Sequence, residues 1–433
     1  MRYYSTRDRE KKHLYSLREA AFMGLALDGG LFMPESIPQI DVDKLLALSD
    51  GGFVPVAQYV AGLLFGDEIE KEKLYAAVAD ALDFPVPLVE IGSGVYTLEL
   101  FHGPTYAFKD VGARFMGRMM SLLREGDERL TILTATSGDT GSAVAGGFYG
   151  VEGIDVVVLY PEGKVSDLQE RQMTTLGENI HPLRVRGDFD DCQRVVKEIF
   201  AHDEFRGSYN VTSANSINIL RWLPQSFYYF YAWCVWYKNV GVKNPMVVTP
   251  SGNYGNIASG MLARKMGLPI KGFVAASNAN DIIPHYLSTG EYRPGHSTQT
   301  IANAMDVGSP SNYERILCLY DYDEGVLRED VKGYSCSDEQ IKDAIREIYE
   351  MYSYVSDPHS AVGYLAAKEY DVRGFYLSTA HCAKFSDVIN DVLRFDVEIP
   401  AGLAKFLDRE KVFTPIDATR DAVEDFVIEL NKK

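Results

Sequence analysis

The sequence predicts an α/β fold with open, mostly parallel sheets, preceded by a helix-rich N-terminal domain over residues 1–95. Three observations carry this. Beyond about residue 95, short β-branched runs alternate with helical stretches, the pattern of parallel strands joined through helices. Residues 1–95 show no such alternation. The 433 residues also exceed what one hydrophobic core usually supports, so two or three domains are expected.

In chain order, Ser16 to Leu27 reads as an amphipathic helix stopped by Asp28-Gly29-Gly30, and Met33-Pro34 opens an extended segment. Val42 to Leu48 and Lys71 to Leu82 read as helices. Strands are predicted at Leu130–Thr134, Asp155–Leu159, Pro182–Val185, Met246–Thr249, Phe273–Ala275 and Phe375–Leu377. Helices between them are predicted at Val111–Leu123, Leu168–Leu176, Asp191–Ala201, Ile257–Met266, Glu339–Tyr352 and Ala361–Tyr370. Asn278 to Ser335, rich in Asn, Gly, Pro and Tyr, reads as a long insertion. In an open parallel sheet, ligands bind beyond the carboxyl ends of the strands, so the strand-to-helix loops are where chemistry belongs.

Composition narrows the class. Hydrophobic residues at 46% and charged residues at 24% are globular values, which excludes a disordered chain. A net charge of −18 repels nucleic acid and anionic lipid, so neither is an expected partner. The five cysteines, Cys192, Cys234, Cys318, Cys336 and Cys382, form no C-x-x-C pair, and the histidines form no H-E-x-x-H. They read as reduced thiols in a cytoplasmic protein with no metal site. Met1 to Leu14 lacks an apolar signal core. The apolar run Phe227 to Tyr237 is too short to span a bilayer and reads as a buried aromatic helix.

Four loops following predicted strands, or opening helices, have unusual composition. Thr249 to Asn256 (TPSGNYGN) can turn its backbone N–H groups inward at the start of a helix, making a phosphate cradle without a lysine. Read alone, it is equally a capped turn. Thr136-Ser137-Gly138-Asp139-Thr140-Gly141 precedes the small-residue helix Ser142 to Gly146 and offers hydroxyls and N–H groups to a carboxylate or phosphate; Ser, Thr and Asp are also ordinary caps. Phe101 to Asp110 places Lys109 at a helix start, where the positive dipole end disfavours its protonation and suits a nucleophile or base. A lone lysine is otherwise a solvated surface residue. The fourth loop, Ser378 to Phe385, holds Thr379, His381 and Lys384.

Together these segments resemble the threonine synthase family, within the fold type II (β-family) pyridoxal-phosphate enzymes. The resemblance rests on Gly24 to Pro34, Phe101 to Asp110, Thr136 to Gly141, Gln169 to Thr175, Ser251 to Asn256, Ala304-Met305-Asp306 with Pro310 to Arg315, and Thr379-Ala380-His381. These run in family order from residue 24 to residue 385. The sequence departs from common forms at Leu27, Tyr254 and Cys382, none of which is a reacting group. Asp139 stands where related enzymes carry asparagine, as is common in the branch resembled, and it leaves the bond to the cofactor's 3′-oxygen undecided.

The resemblance implies pyridoxal 5′-phosphate as cofactor and residues 96–433 as the catalytic region, with about 110–215 as a movable subdomain. It implies Lys109 as the internal aldimine with Phe108 near the cofactor ring. Gly252, Asn253, Tyr254, Gly255 and Asn256 would hold the cofactor phosphate, and the Thr379 hydroxyl would face the pyridine nitrogen. A hydroxyl there tempers the ring as an electron sink and favours elimination and replacement over transamination. The implied substrate is O-phosphohomoserine, which yields threonine and phosphate with water. Its carboxylate would lie on Ser137, Gly138, Asp139 and Thr140. Its phosphate would lie among Lys164, Asn215, Ser216, Asn218, Arg221 and Lys384, although Arg221 and Lys384 are equally readable as solvated helix-end cations. A monomer or homodimer is expected.

Rival readings are weaker. A serine or threonine dehydratase lacks the N-terminal motif and the Ala304 to Arg315 segment. A dinucleotide oxidoreductase needs G-x-G-x-x-G after a strand, and Gly92-Ser93-Gly94 has Thr97 in place of the third glycine. A catalytically dead homologue would have no reason to keep Lys109 with every loop.

Overall fold

The computed structural model describes residues 1–92 and 94–432; Ser93, in the glycine run above, lies outside the described residues, as does Lys433. Thirteen strands are described: β1 (Tyr3–Ser5), β2 (Phe32–Pro34), β3 (Leu88–Gly92), β4 (Val95–Glu99), β5 (Leu130–Ala135), β6 (Ile154–Pro161), β7 (Ile180–Arg186), β8 (Val211–Ser213), β9 (Met246–Pro250), β10 (Gly272–Ser277), β11 (Val331–Ser335), β12 (Gly374–Ser378) and β13 (Thr414–Asp417). They form a two-stranded pair β1-β2, a six-stranded sheet β11-β10-β9-β12-β4-β3, and a five-stranded sheet β13-β7-β6-β5-β8. Within the two larger sheets all described pairings are parallel except the β3–β4 hairpin. The predicted open, mostly parallel α/β architecture is what the chain adopts.

Central strands such as β5 and β10 are buried along their whole length, which is why they read as continuous apolar runs and not as alternating ones. All six predicted strands are present, each lengthened by one to a few residues at its ends. The aromatic run is a helix, Ser226–Val240, with Phe227, Tyr228, Tyr229, Phe230, Trp233 and Trp236 buried. Among the described residues no helix is long and apolar enough to cross a membrane.

Three features refine the organisation. The hairpin β3–β4 straddles residue 95 and belongs wholly to the six-stranded sheet. The N-terminal helices Phe53–Phe65 and Lys71–Ala81 share one continuous core with the aromatic helix and the helix Lys109–Leu123. Residues 278–335 include the helices Ile282–Thr289, Tyr313–Leu319 and Glu324–Asp330 and end in β11, an edge strand of the six-stranded sheet. The C-terminal β13 returns to the five-stranded sheet beside β7.

Candidate active site

A cleft of about 1540 Å³ is lined by residues from both large sheets, among them Phe108, Lys109, Ser137, Asp139, Thr140, Asn215, Ser216, Arg221, Gly252 to Asn256 and Thr379. The topology explains the gathering. β5 leads into the Ser137–Thr140 loop, β9 into Ser251–Tyr254, and β12 into Thr379, all at carboxyl ends of parallel strands. Sequence reading placed these loops correctly. Their meeting is a tertiary fact.

Lys109 opens the helix Lys109–Leu123. Its loop is fastened to the Thr379 loop: Phe108 N–H donates to the Thr379 carbonyl at 2.9 Å, His381 N–H donates to the Tyr106 carbonyl at 3.1 Å, and Ala107 bridges Ala380. Thr379 N–H in turn donates to Ser360 Oγ at 3.2 Å. The lysine and the hydroxyl of Thr379 are therefore held by one short piece of paired backbone. The Lys109 side chain is 16% exposed, with Nζ 3.9 Å from Asp139 Oδ2. Burial pulls its amine down to about 8; Asp139 opposes this, while Lys384 and Arg221 add to it. At that value a useful fraction of the amine is neutral near physiological pH.

The cradle is Ser251 to Asn256, entering the helix Gly255–Lys265. Tyr254 takes a left-handed conformation at φ 61°, which turns the chain sharply into the helix. Among the described residues, the backbone N–H groups of Gly252, Asn253, Tyr254, Gly255 and Asn256 donate to no other protein group. Asn256 Nδ2 is buried and unpartnered, while its Oδ1 accepts from Tyr228 at 2.5 Å and Tyr229 at 2.9 Å. The aromatic helix thus fixes Asn256 so that its donor faces away from the two tyrosines. At Gly252 an added Cβ would sit 2.6 Å from Met305 Cα and 3.0 Å from its carbonyl, so only glycine fits there without moving backbone. Asn253 braces the loop through its side chain, donating to Ser216 Oγ at 2.6 Å and accepting from Ser311 N–H at 2.7 Å.

The Asp139 loop is built differently. Thr136 Oγ1 accepts from Gly138 N–H and Gly141 N–H at 2.9 and 2.8 Å. The helix begins at Asp139, three residues earlier than read from sequence. Gly138, at φ 142°, lies under the Gln169 amide, which a Cβ would meet at 2.5 Å. Burial would raise the Asp139 carboxyl, yet Lys384, Lys109 and His359 hold it well below the usual carboxylate range. The sequence left its charge state undecided; the surroundings make it an anion.

Three predicted substrate residues are placed elsewhere. Lys164 lies exposed beyond β6 and does not line the cleft; it follows the turn Glu162-Gly163, and nothing draws it inward. Asn218 is fully buried and caps the short helix Ile219–Trp222, accepting from Leu220 N–H and donating to the Ala21 and Ser213 carbonyls. Lys384 is no solvated helix-end cation and faces no phosphate pocket. Its Nζ is buried against Asp139 Oδ1 at 2.6 Å and the Thr105 carbonyl at 2.9 Å. Arg221 does reach the cleft. It is 2% exposed, its Nη1 donates to the Ala214 carbonyl at 2.5 Å, and its buried Nε has no partner. Burial lowers it to about 10, with Asp110 opposing. It pairs with no carboxylate among the described residues. Asn215 accepts from Thr134 Oγ1, and Ser216 Oγ accepts from Asn253 and Asn312.

Sequence reading missed Gln169 as a partner of Asp139 (2.8 Å to Oδ1) and His359, which lines the cleft and is held by Asp357 at 2.8 Å. Gln169 stood in a quoted motif, but nothing in its spacing points to Asp139. The residues present fit pyridoxal phosphate: a lysine with a lowered amine, a cradle of unpartnered donors for a phosphate, and a hydroxyl fastened beside the lysine.

Known proteins agree in kind. A family model for pyridoxal-phosphate dependent enzymes matches residues 84–376, one for the threonine synthase N terminus matches residues 2–82, and one for the threonine synthase C-terminal region matches residues 360–427. Threonine synthase of Serratia marcescens is 40% identical over 408 residues, covering 93% of this chain and 94% of its own length. The crystal structure of threonine synthase from Escherichia coli matches with a TM-score of 0.92 at 39% identity over 100% of both chains. A pyridoxal-phosphate-bound threonine synthase from Brucella melitensis matches with a TM-score of 0.92 at 33% identity, again over 100% of both.

Proposed function

The chain belongs to the threonine synthase family of pyridoxal-phosphate-dependent enzymes, and from that premise we propose which of its residues do the work. Its activity is that of a threonine synthase, a lyase of amino-acid biosynthesis acting on a small-molecule substrate, and its cofactor is pyridoxal 5′-phosphate. O-Phospho-L-homoserine and water become L-threonine and phosphate. The bound cofactor supplies the electron delocalisation that makes the substrate's Cα and Cβ protons removable.

In this reading Lys109 carries the cofactor, with Phe108 beside its ring, and its Nζ moves protons at substrate Cα and then Cβ. Gly252, Asn253, Tyr254, Gly255 and Asn256 hold the cofactor phosphate through backbone N–H groups and Asn256 Nδ2. The Thr379 hydroxyl is assigned to the pyridine nitrogen. Ser137, Gly138 and Thr140 are assigned to the substrate carboxylate, which the Ser137 and Thr140 donors suit and which the Asp139 anion repels; Gly138 shapes the turn, its own N–H donating to Thr136 Oγ1. Arg221, with Asn215 and Ser216, is assigned to the phosphate that leaves from Cγ before water adds at Cβ. A buried guanidinium with an unpartnered Nε and no carboxylate is suited to an incoming dianion.

The Ser137–Thr140 loop and the cradle belong to different sheets. This supports a further assignment of about residues 110–215 as a subdomain that moves to exclude water during turnover. The N-terminal unit of the same reading then stops before the β3–β4 hairpin, which belongs to the six-stranded sheet, and the insertion within 278–335 stops before β11. A cytoplasmic protein without nucleic-acid partners is supported by the net charge of −18 and by five free cysteines, four of them buried; a monomer or homodimer is the assembly expected in this reading.

The observation that supports this reading best is the meeting of Lys109, the unpartnered cradle and Thr379 in one cleft. Purified protein given O-phospho-L-homoserine should release threonine and phosphate in equal amounts, with solvent oxygen in the β-hydroxyl. Faster deamination of serine or threonine than turnover of phosphohomoserine would favour the dehydratase reading instead.

A further inference from the structure

Lys384 is a buried cation that the reaction as assigned above does not use. Its side chain is 0% exposed and Asp139 is 4% exposed, with 2.6 Å between them. Asp139 Oδ1 receives Lys384 Nζ and also Gln169 Nε2 at 2.8 Å, while Oδ2 faces Lys109 Nζ at 3.9 Å, beyond hydrogen-bond reach. Lys384 is itself anchored by the Thr105 carbonyl at 2.9 Å, and Thr105 N–H and Oγ1 are held by Asp110. The carboxylate is thus drawn from one side by two donors, leaving the catalytic amine on the other side without a close ion pair.

We propose that Lys384 is a positioning residue for the reaction: a counter-cation that holds Asp139 off Lys109, so that the Lys109 amine stays free to link the cofactor and to act as base. The physical reason is competition for one carboxylate. A lone Asp139 in this buried place would close on Lys109 and keep it protonated, since a buried anion left with one cation pairs with it. A second cation satisfies Asp139 and adds its own repulsion. The charged groups around Lys109 are Asp139, Lys384 and Arg221, and Asp139 also faces His359. Asp110 lies beyond Arg221 and Lys384. Arg221 and Lys384 act in the same direction on Lys109, so the role assigned to Lys384 does not require Arg221 to change. The low amine value of about 8 at Lys109 agrees.

The inference rests on Lys109 being the cofactor lysine, and its test separates the two claims. The holoenzymes of wild type, Lys384→Met and Lys384→Gln are titrated from acid to alkaline pH by visible absorption, and the rate of cofactor capture by each full chain is measured at several pH values. Glutamine keeps a polar group near Asp139 and Thr105 without the charge, so it guards against a fold defect in the methionine variant. Both variants should raise the midpoint of the spectral titration by about one pH unit or more. Cofactor capture near neutral pH should slow roughly tenfold for each unit, because the neutral amine becomes that much rarer. A glutamine variant that folds and keeps the wild-type midpoint would overturn the proposal and leave Lys384 a structural residue. A wild-type protein with no lysine-linked band would overturn the Lys109 reading itself.

Discussion

The loops at residues 136–140 and 251–256 start from the same plan and end with opposite electrostatics. Each leaves the carboxyl end of a parallel strand and turns into a helix, the first at Gly138 and the second at Tyr254. In the second, among the described residues, five backbone N–H groups and the Asn256 amide nitrogen have no protein partner. In the first, the helix N-terminus already has its anion, Asp139, and that anion is neutralised from behind by Lys384. A helix N-terminus favours negative charge whoever supplies it. Where the protein supplies none, the site is left to a phosphate. Where the protein supplies a carboxylate, the loop is poorly suited to a phosphate dianion as well. The proposed assignment accordingly gives the leaving phosphate to Arg221.

The largest effect that would sharpen this division is at Arg221. Two charge-assisted hydrogen bonds at roughly 1.5–3 kcal/mol each predict that Arg221→Ala lowers kcat/KM for phosphohomoserine by about several hundredfold or more, at tenfold per 1.36 kcal/mol. Cofactor occupancy should stay unchanged, because the cradle is assigned to the cofactor alone, while the midpoint of the spectral titration should rise, since Arg221 also lowers the Lys109 amine. Steady-state kinetics beside the visible spectrum would check both halves. Loss of the cofactor with the arginine would merge the two phosphate sites and break the comparison. Lys164→Ala, on the exposed turn after β6, is the paired control and should change kcat/KM by no more than about twofold.

A smaller effect is expected at the cradle itself. Gly252→Ala places a Cβ against the Met305 backbone, and relieving such overpacking costs about 1–3 kcal/mol. Cofactor affinity should fall roughly tenfold to hundredfold, read by equilibrium dialysis, with the fold retained by circular dichroism. Unchanged affinity would mean that the cradle does not hold the cofactor.

How much of this was legible follows from the kind of signal each part carries. The six buried central strands announce themselves as short β-branched or aromatic apolar runs, so they were found. The helix Phe53–Phe65 was not read from the sequence. Pro55 stands in the first turn, where its missing N–H costs nothing. β1, β2 and β8 have three residues each, too few for a period. The pairing of β13 with β7 joins segments far apart in the chain, which no local pattern encodes. The same distinction governs the site. Lys109, Ser251–Asn256 and Thr379 sit in loops whose composition is odd by itself. Asn218 and Lys384 looked like phosphate ligands because residue type was visible and partner was not. The first turned out to be a helix cap and the second the partner of Asp139.

Borohydride reduction of the native holoenzyme tests whether Lys109 is the lysine that carries the cofactor. Reduction fixes the lysine–cofactor bond, and peptide mapping then locates it. A visible absorption band that borohydride abolishes and a single reduced adduct on the peptide containing Lys109 are expected. An adduct on Lys384, Lys164 or any other lysine, or a purified protein with no reducible band, would contradict it.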